Sequence, residues 1–523
     1  MRKSILTAAL ALGTAATAFA GGFLTNTNQN TAFLRNPARD AYIAIDGCYS
    51  NPAGVGFMSQ GWHLGFDIQS AYQTRTVETF FPYFQGGVVN GIENGLNQTK
   101  KFKGKATAPV LPSIDLARVG ERWFATFHFG ITGGGGKCKF DNGLPSFESQ
   151  VAMVPQLINI LAPGAATGYA FDTHVQGRQY YFGGQFGVGY KISPNLSVSA
   201  GGRVVYADCN YYGYVRNISV QTAAGLIPAG QFFESQNMPH FAALAANREL
   251  NCDQTGWGFT PIIGVDYKLG KLNLAAKYEF KTRLRLKNRS GENTSGLEEY
   301  DDGRKLAADI PAILTLGAKY DLKDYLRLSA GFHYYFDKQA TQYANREERL
   351  DGGGWEVLAG AEWDINDRVT VSAGWQTTNY GLGEDSRFVT DMSFVTNSNS
   401  VGLGATFRLK ERVKLNFAYF KTFYQHYRKN QPDYTDLKTK FGGMLGEMGT
   451  QLTAAQAQLT TYINSGAIPA EQLPVYQQQL AVVNGELGAL GAINRGMANY
   501  STAGFDNFHR TNDVFGIGLE IDF

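Results

Sequence analysis

Four cysteines, seven histidines and a scatter of basic residues carry the reactive or ligating chemistry of this chain. Cys48, Cys138, Cys209 and Cys252 form no C-x-x-C pair and have no histidine at metal-ligand spacing, so neither zinc nor dithiol redox chemistry is encoded. No metal or cofactor is expected. The N-terminus reads as an export signal, which makes disulfides plausible, and Cys209 and Cys252 bracket a long excursion between neighbouring segments that a bridge would clamp. Cys48 and Cys138 fit free thiols as well as a second bridge. No G-x-S-x-G or H-E-x-x-H motif occurs, and His63, His128, His333 and His426 fall singly in alternating segments. A lone strand histidine is usually a wall donor, so the chain is not read as an enzyme. Arg203, Arg216, Lys277, Arg327 and Arg408 stand at inward or loop-base positions. They could hold an anionic head group, or they could be spent on structural ion pairs, as buried charges usually are.

The segments that must position these residues alternate with period 2. In Val514 to Phe523, Phe515, Ile517, Leu519, Ile521 and Phe523 share one face, and Gly516, Gly518, Glu520 and Asp522 the other. A bulky apolar face backed by a face of Gly and acid fits a strand with lipid outside and a lumen inside. Trp62 to Tyr72, Leu272 to Phe280 and Leu326 to Phe336 repeat the pattern, with His63, Asp67, Lys277, Glu279, Arg327 and His333 on the polar side. Runs of this kind number about fourteen. Short turns at 119–121, 193–195, 270–271, 321–323, 364–366 and 410–411 alternate with excursions at 78–104, 133–178, 210–251, 288–309, 339–353, 381–397 and 427–508. Short turns facing the periplasm and long loops facing outward make an all-β, antiparallel transmembrane barrel.

Export is encoded by Arg2, Lys3, the apolar run Ile5 to Leu12 and Ala18-Phe19-Ala20, so residues 1–20 read as a signal peptide and the mature chain begins near Gly21. No run of 18 apolar residues offers a transmembrane helix. The 62 Gly, 28 Tyr and 35 Phe supply turns and aromatic girdles, and a net charge of +2 points to no nucleic-acid partner. A mean hydropathy of -0.23 is no contrary sign, because alternation hides the lipid-facing half. Residues 21–60 lack a strand pattern yet carry Phe23, Leu24, Phe33, Leu34, Tyr42, Ile43 and Ile45, too apolar for a disordered tail. A lumen this wide leaves room for a plug, or hatch, ahead of the barrel at 61–523. In the last excursion Leu437, Phe441, Leu445, Met448 and Leu452, then Leu473, Tyr476, Leu480, Val483, Leu487 and Leu490, recur at helical spacing and predict a helical hairpin. Shorter helices are expected over 241–248 and 151–161.

Asn51-Pro52-Ala53-Gly54-Val55 followed by Trp62-His63-Leu64-Gly65-Phe66 resembles the hatch-to-first-strand junction of the FadL/TodX family. These are outer-membrane transporters of long-chain fatty acids and other hydrophobic compounds. Thr255-Gly256-Trp257-Gly258-Phe259, Gly264-Val265-Asp266-Tyr267 and Leu274-Ala275-Ala276-Lys277-Tyr278 look like its central strands, and Pro311 to Tyr320 like the next. The resemblance implies a fourteen-stranded barrel that takes up hydrophobic ligands passively and without a cofactor. They would be bound in the lumen and released sideways past the hatch at a kinked third strand. The hatch motif carries over to Asn51, Pro52 and Ala53, the earlier Asn36-Pro37-Ala38 being misplaced for it. Arg216 lies nearest the family's carboxylate-contacting arginine, with Arg203 and Lys277 as further candidates. Gly130 and Gly133 are candidates for the kink, or else a glycine-rich loop start. Phe523 resembles the terminal aromatic offered to the barrel assembly machinery. Other implied partners are outer-membrane lipid and lipopolysaccharide, and the chain is expected to be a monomer. The competing readings are a surface receptor or adhesin using the long loops, and a general porin.

Overall fold

The computed structural model describes residues 28–382, 389–392 and 394–523. The signal-peptide expectation, Phe23 and Leu24 lie outside the described residues. Fourteen antiparallel strands close into a ring: β1 Gly61–Phe80, β2 Thr99–Val119, β3 Trp123–Phe140, β4 Gly168–Lys191, β5 Leu196–Thr222, β6 Arg248–Leu269 and β7 Leu272–Glu279, then β8 Ile313–Lys323, β9 Leu326–Tyr335, β10 Trp355–Asn366, β11 Val369–Asn379, β12 Ser398–Lys410, β13 Val413–Tyr424 and β14 Gly504–Asp522. Closure runs from His63 opposite Asp522 to Phe80 opposite Phe505, so the first and last strands pair along almost their whole length. The first and last strands therefore leave no free edge between them, as a bilayer requires.

The outward positions carry the apolar band that alternation predicts. Trp62, Trp123, Tyr267, Tyr325 and Trp363 are exposed near the short turns, and Tyr72, Trp257, Trp355 and Phe423 nearer the long loops. Trp62 and Tyr72 lie ten positions apart on β1; at about 3.4 Å per residue and a tilt of about 40°, they mark a band about 26 Å tall. This is a closed barrel that crosses a bilayer with strands.

The strands run further outward than the alternation reached, and the long loops are correspondingly shorter. β4 pairs with β5 up to Gln221, and β5 with β6 up to Val215 opposite Arg248. About half of the excursion expected over 210–251 is therefore strand. Above the bilayer the loops share one apolar core. The helices Pro145–Ala152 and Val154–Leu161 place Phe147, Leu157 and Ile158 there, the helix Ala229–Ser235 adds Phe233, and the short 3-10 helix Phe241–Ala245 adds Phe241. The hairpin helices Leu437–Asn464 and Leu473–Gly496 contribute Leu437, Phe441, Leu445, Leu490 and Ile493 to the same core.

Candidate functional site

Residues 28–60 fill the lumen. Thr31, Asn36, Asn51, Ala53 and Val55 are buried, and polar side chains tie the segment to strands around the ring. Thr31 N donates to Asp67 on β1 at 2.9 Å, Gln185 on β4 donates to Cys48 O at 2.7 Å, and Asn273 on β7 donates to Ala41 O at 2.8 Å. Both Asn-Pro-Ala stretches use one device. Each asparagine carbonyl caps its own turn, Asn36 Oδ1 accepting from Ala38 N at 3.1 Å and Asn51 Oδ1 from Gly54 N at 3.2 Å. Each amide then reaches the wall, Asn36 to Ser329 Oγ at 3.2 Å and Asn51 to Asp266 Oδ2 at 2.5 Å. Gly360 lets Asn36 approach, because a Cβ there would fall on its Oδ1.

Charge in the lower lumen is spent on this fit. Arg35 Nη1 meets Glu362 at 2.5 Å, Arg39 meets Glu362 at 3.0 Å and Asp46 at 2.8 Å, and Arg327 on β9 meets Asp364 at 2.6 Å. The structure brings together two of the three candidate carboxylate contacts. Arg203 and Lys277 converge on Glu279 at 2.7 and 2.8 Å, and Lys277 Nζ also donates to Tyr49 O at 2.9 Å. Glu279 already pairs with both cations, and the cavity beside it, about 10 Å³, has room for about one water. Arg216 does not join them. It faces outward on the upper part of β5, paired with Glu249 and lying over the Tyr214 ring. A register shift in β4 between Ala170 and Asp172 accompanies this stretch, where β5 has left the bilayer and lipid-facing alternation no longer marks which side is in. Arg408 is exposed at the short-turn rim.

The wall is interrupted at one seam. β2 and β3 pair from Gly104 to Ala106 and again from Ile114 to Val119, with no ladder across 107–113 and 130–137. On its other side β3 shifts register against β4 between Ile131 and Gly133 and between Gly133 and Gly136. Gly134 has φ +104, and a Cβ there would lie 2.3 Å from Gln179 O, so this bend needs glycine. Gly130 is the inward residue at the start of the break, where a Cβ would crowd Gln29 and His128. A cavity of about 150 Å³ joins the seam to the plug. Phe33 and Leu34 of the plug face Ala106, Ala108, Leu111 and Ile131 across it, with Ala71, Phe420 and Val514 closing the sides. Gln73 and Asn512 are among its polar lining, which carries no charged side chain among the described residues. The sequence offered Gly130 and Gly133 as a kink in the third strand or a glycine-rich loop start, whereas the cavity unites residues too far apart in sequence for any motif to have marked them.

No protein-family model matches the sequence, and no curated protein matches it. Solved structures do. A FadL homologue from Pseudomonas aeruginosa superposes with a TM-score of 0.59 over 96% of this chain and 99% of that one, at 14% identity. The toluene transporter TodX from Pseudomonas putida superposes with a TM-score of 0.52 over 96% of this chain and 100% of that one, at 12% identity. The fold is that of the FadL/TodX outer-membrane barrels. At these identities the likeness is one of fold, and the chain departs from it in its own side chains.

Within this FadL/TodX fold the expected Cys209–Cys252 bridge is corrected, since all four cysteines are free and buried. Cys209 lies opposite Gln254 and Cys252 opposite Tyr211, which sets the two thiols diagonally across the β5–β6 ladder. Diagonal Cα atoms sit about 7–8 Å apart, beyond the reach of a disulfide. His63, His128 and His333 are lumen-wall residues bonded to Asp522, Asp115 and Glu356 at 2.6, 2.8 and 2.8 Å. His426 departs from that reading. It lies exposed between β13 and its continuation Tyr427–Gln431, with its Nδ1 2.7 Å from His509 Nδ1. Phe523 is exposed at the short-turn end, and its N–H donates to Trp62 O at 2.9 Å.

Proposed function

We propose that this barrel is a passive outer-membrane channel for hydrophobic small molecules, which bind between plug and wall and leave sideways through the β2–β3 seam. One observation carries the reading: the 150 Å³ apolar cavity has the plug on one side and the unpaired stretch of wall on the other. A cavity of roughly this volume accommodates a benzene-sized ligand, and burial in it contributes about 0.8 kcal/mol per methylene. The exit needs no aqueous step. The stretches 107–113 and 130–137, which do not pair with each other, border the hydrocarbon, so an apolar ligand never has to re-enter water. The plug then serves as the hatch, closing the lumen to polar solutes while Phe33 and Leu34 form the cavity floor.

A cross-link across the seam tests the route. A Cβ built on Gly136 lies 3.8 Å from Ala108 Cβ, the usual separation in a disulfide of about 3.8 Å. Oxidised Ala108→Cys/Gly136→Cys protein in vesicles should block toluene entry, and reductant should restore it. Cys138 and the other native thiols are buried and slower to react. Unchanged entry in the cross-linked protein would remove the lateral route. Wild-type protein that admits no toluene above empty vesicles would end the channel reading.

A further inference from the structure

Above the bilayer the outward face of β2 and β3 is lined with lysine. Lys101, Lys103 and Lys105 alternate along β2 with Phe102 and Ala106, which are buried in the loop core, and Lys137 and Lys139 alternate along β3 with the buried Cys138 and Phe140. Register then sets like charges side by side. Lys105 lies directly opposite Lys139, and Lys137 directly opposite Arg178 on β4. Thr107 is opposite Tyr72, at the outer edge of the apolar band, so Lys105 stands two residues, about 7 Å along the strand, beyond that edge. Below the cluster the same outward face turns apolar, with Val110, Ile114, Phe127 and Phe129 exposed.

Like charges directly opposite on a ladder destabilise it, and the acids nearby do not offset these. Glu78 meets Lys101 at 3.3 Å, Asp208 meets Arg178 at 2.9 Å and Asp141 meets His174 at 3.7 Å, whereas Lys103, Lys105, Lys137 and Lys139 meet no carboxylate among the described residues. Further round the rim, by contrast, Arg216 meets Glu249, and Lys421 meets Asp513 at 2.9 Å. Lys103, Lys105 and Lys139 are exposed and Lys137 is half-buried, so four unmatched ammonium groups crowd one patch beside the membrane surface. The patch also caps the seam. Lys105 and Lys139 belong to the short ladder just above the break, and Lys137 to the stretch of β3 that does not pair with β2.

We infer that Lys103, Lys105, Lys137 and Lys139 form a docking surface for lipid A, the phosphorylated glycolipid of the outer leaflet, which seats over the upper end of the seam. Its chemistry matches the face in both halves. Phosphates at the membrane surface offset the opposed ammonium groups, and the acyl chains beneath them lie along Val110, Ile114, Phe127 and Phe129. Lysine suits this task, because a point charge on a flexible stem can follow phosphates carried on a sugar ring. A soluble acidic partner would use the lysines alone and leave the apolar half of the face unmatched. A lipid seated here covers the outside of the seam with its chains. The inference is independent of the uptake reading, since a barrel that carries no cargo would bind the lipid equally well.

Equilibrium binding in a mild detergent tests this with four probes: bisphosphorylated lipid A, lipid A stripped of both phosphates, phosphatidylglycerol and inorganic phosphate. Wild-type protein should bind bisphosphorylated lipid A tighter than each of the others by about tenfold or more, the scale of one charge-assisted contact. Lys103→Gln/Lys105→Gln/Lys137→Gln/Lys139→Gln should lose that preference. Lys271→Gln/Lys323→Gln/Lys338→Gln/Lys438→Gln removes the same charge from exposed lysines elsewhere and should keep it. Equal binding of the two lipid A forms by wild type, or a preference that survives in the patch variant, would overturn the docking surface. Phosphatidylglycerol or inorganic phosphate bound as tightly as lipid A would also overturn it, by making the face a general anion surface. Equal loss in the two variants would do the same, by making overall charge the cause. Protein that binds none of the four probes would overturn it in favour of an acidic macromolecule. An unchanged shift of the folded band on unheated gels is the folding control.

Discussion

Asn51 Nδ2 donates to Asp266 Oδ2 at 2.5 Å, joining a plug turn to the inner face of β6. Both residues are buried, and Asn273 on β7 is the second donor to the same oxygen, at 3.0 Å. The Asn-Pro-Ala turn is thereby held to two adjacent strands through one carboxylate. Asn51→Ala removes one donor and also the cap on Gly54 N. It should lower barrel stability by about 1.5–3 kcal/mol, the worth of a buried hydrogen bond to a charged group. Urea titration of the folded band in detergent would read this. A variant as stable as wild type would mean that the plug is held elsewhere.

Glu362→Gln should cost more. Glu362 neutralises Arg35 and Arg39 of the plug and lies 3.4 Å from Arg327 on β9. Loss of one member of a buried ion cluster leaves uncompensated charge, typically about 3–5 kcal/mol. Arg39 keeps Asp46 and Arg327 keeps Asp364, so the loss should fall mainly on Arg35. The same urea titration should rank Glu362→Gln below Asn51→Ala. Swelling of vesicles in a small sugar should reveal whether the loosened plug also leaks.

These two anchors also mark what the chain disclosed before its fold was known. Inside the bilayer one face of each strand must be apolar, so alternation fixed the inward set on β1, β7 and β9, including His63, Lys277 and Arg327. Above the bilayer that constraint vanishes. Asn210, Tyr212 and Arg216 on the outer face of β5 meet no lipid, and the strand read as a loop with Arg216 misplaced as a ligand contact. The cavity at the seam was missed for a related reason. Ala71 and Val514 in its lining are far apart in sequence, and only barrel closure sets them opposite each other.

The diagonal placement of Cys209 and Cys252 leads to a chemical expectation. Denatured without reductant, the chain should take up four equivalents of maleimide, matching its four free cysteines. The folded barrel should react far more slowly, since all four thiols are buried. Two equivalents from denatured, unreduced protein would show that a bridge forms by movement of the β5–β6 ladder.

The helical hairpin should dock in a pH-dependent way. His240, just ahead of the 3-10 helix in the third long loop, meets Glu486 on the second hairpin helix twice, its N–H at 2.9 Å and its Nδ1 at 2.6 Å. The hydrogen bond to Glu486 raises the His240 pKa above its ordinary 6.5, with burial opposing it. A raised histidine pKa adds stability that is fully present below about 6.5 and is lost as pH climbs through the higher folded value. Docking should therefore weaken as pH rises above about 6.5, and the partial exposure of His240 keeps the effect modest. Hydrogen exchange over 473–496 should quicken across that window in the wild type. His240→Ala should exchange quickly at every pH, and an identical profile in the two proteins would show that the apolar core alone holds the hairpin.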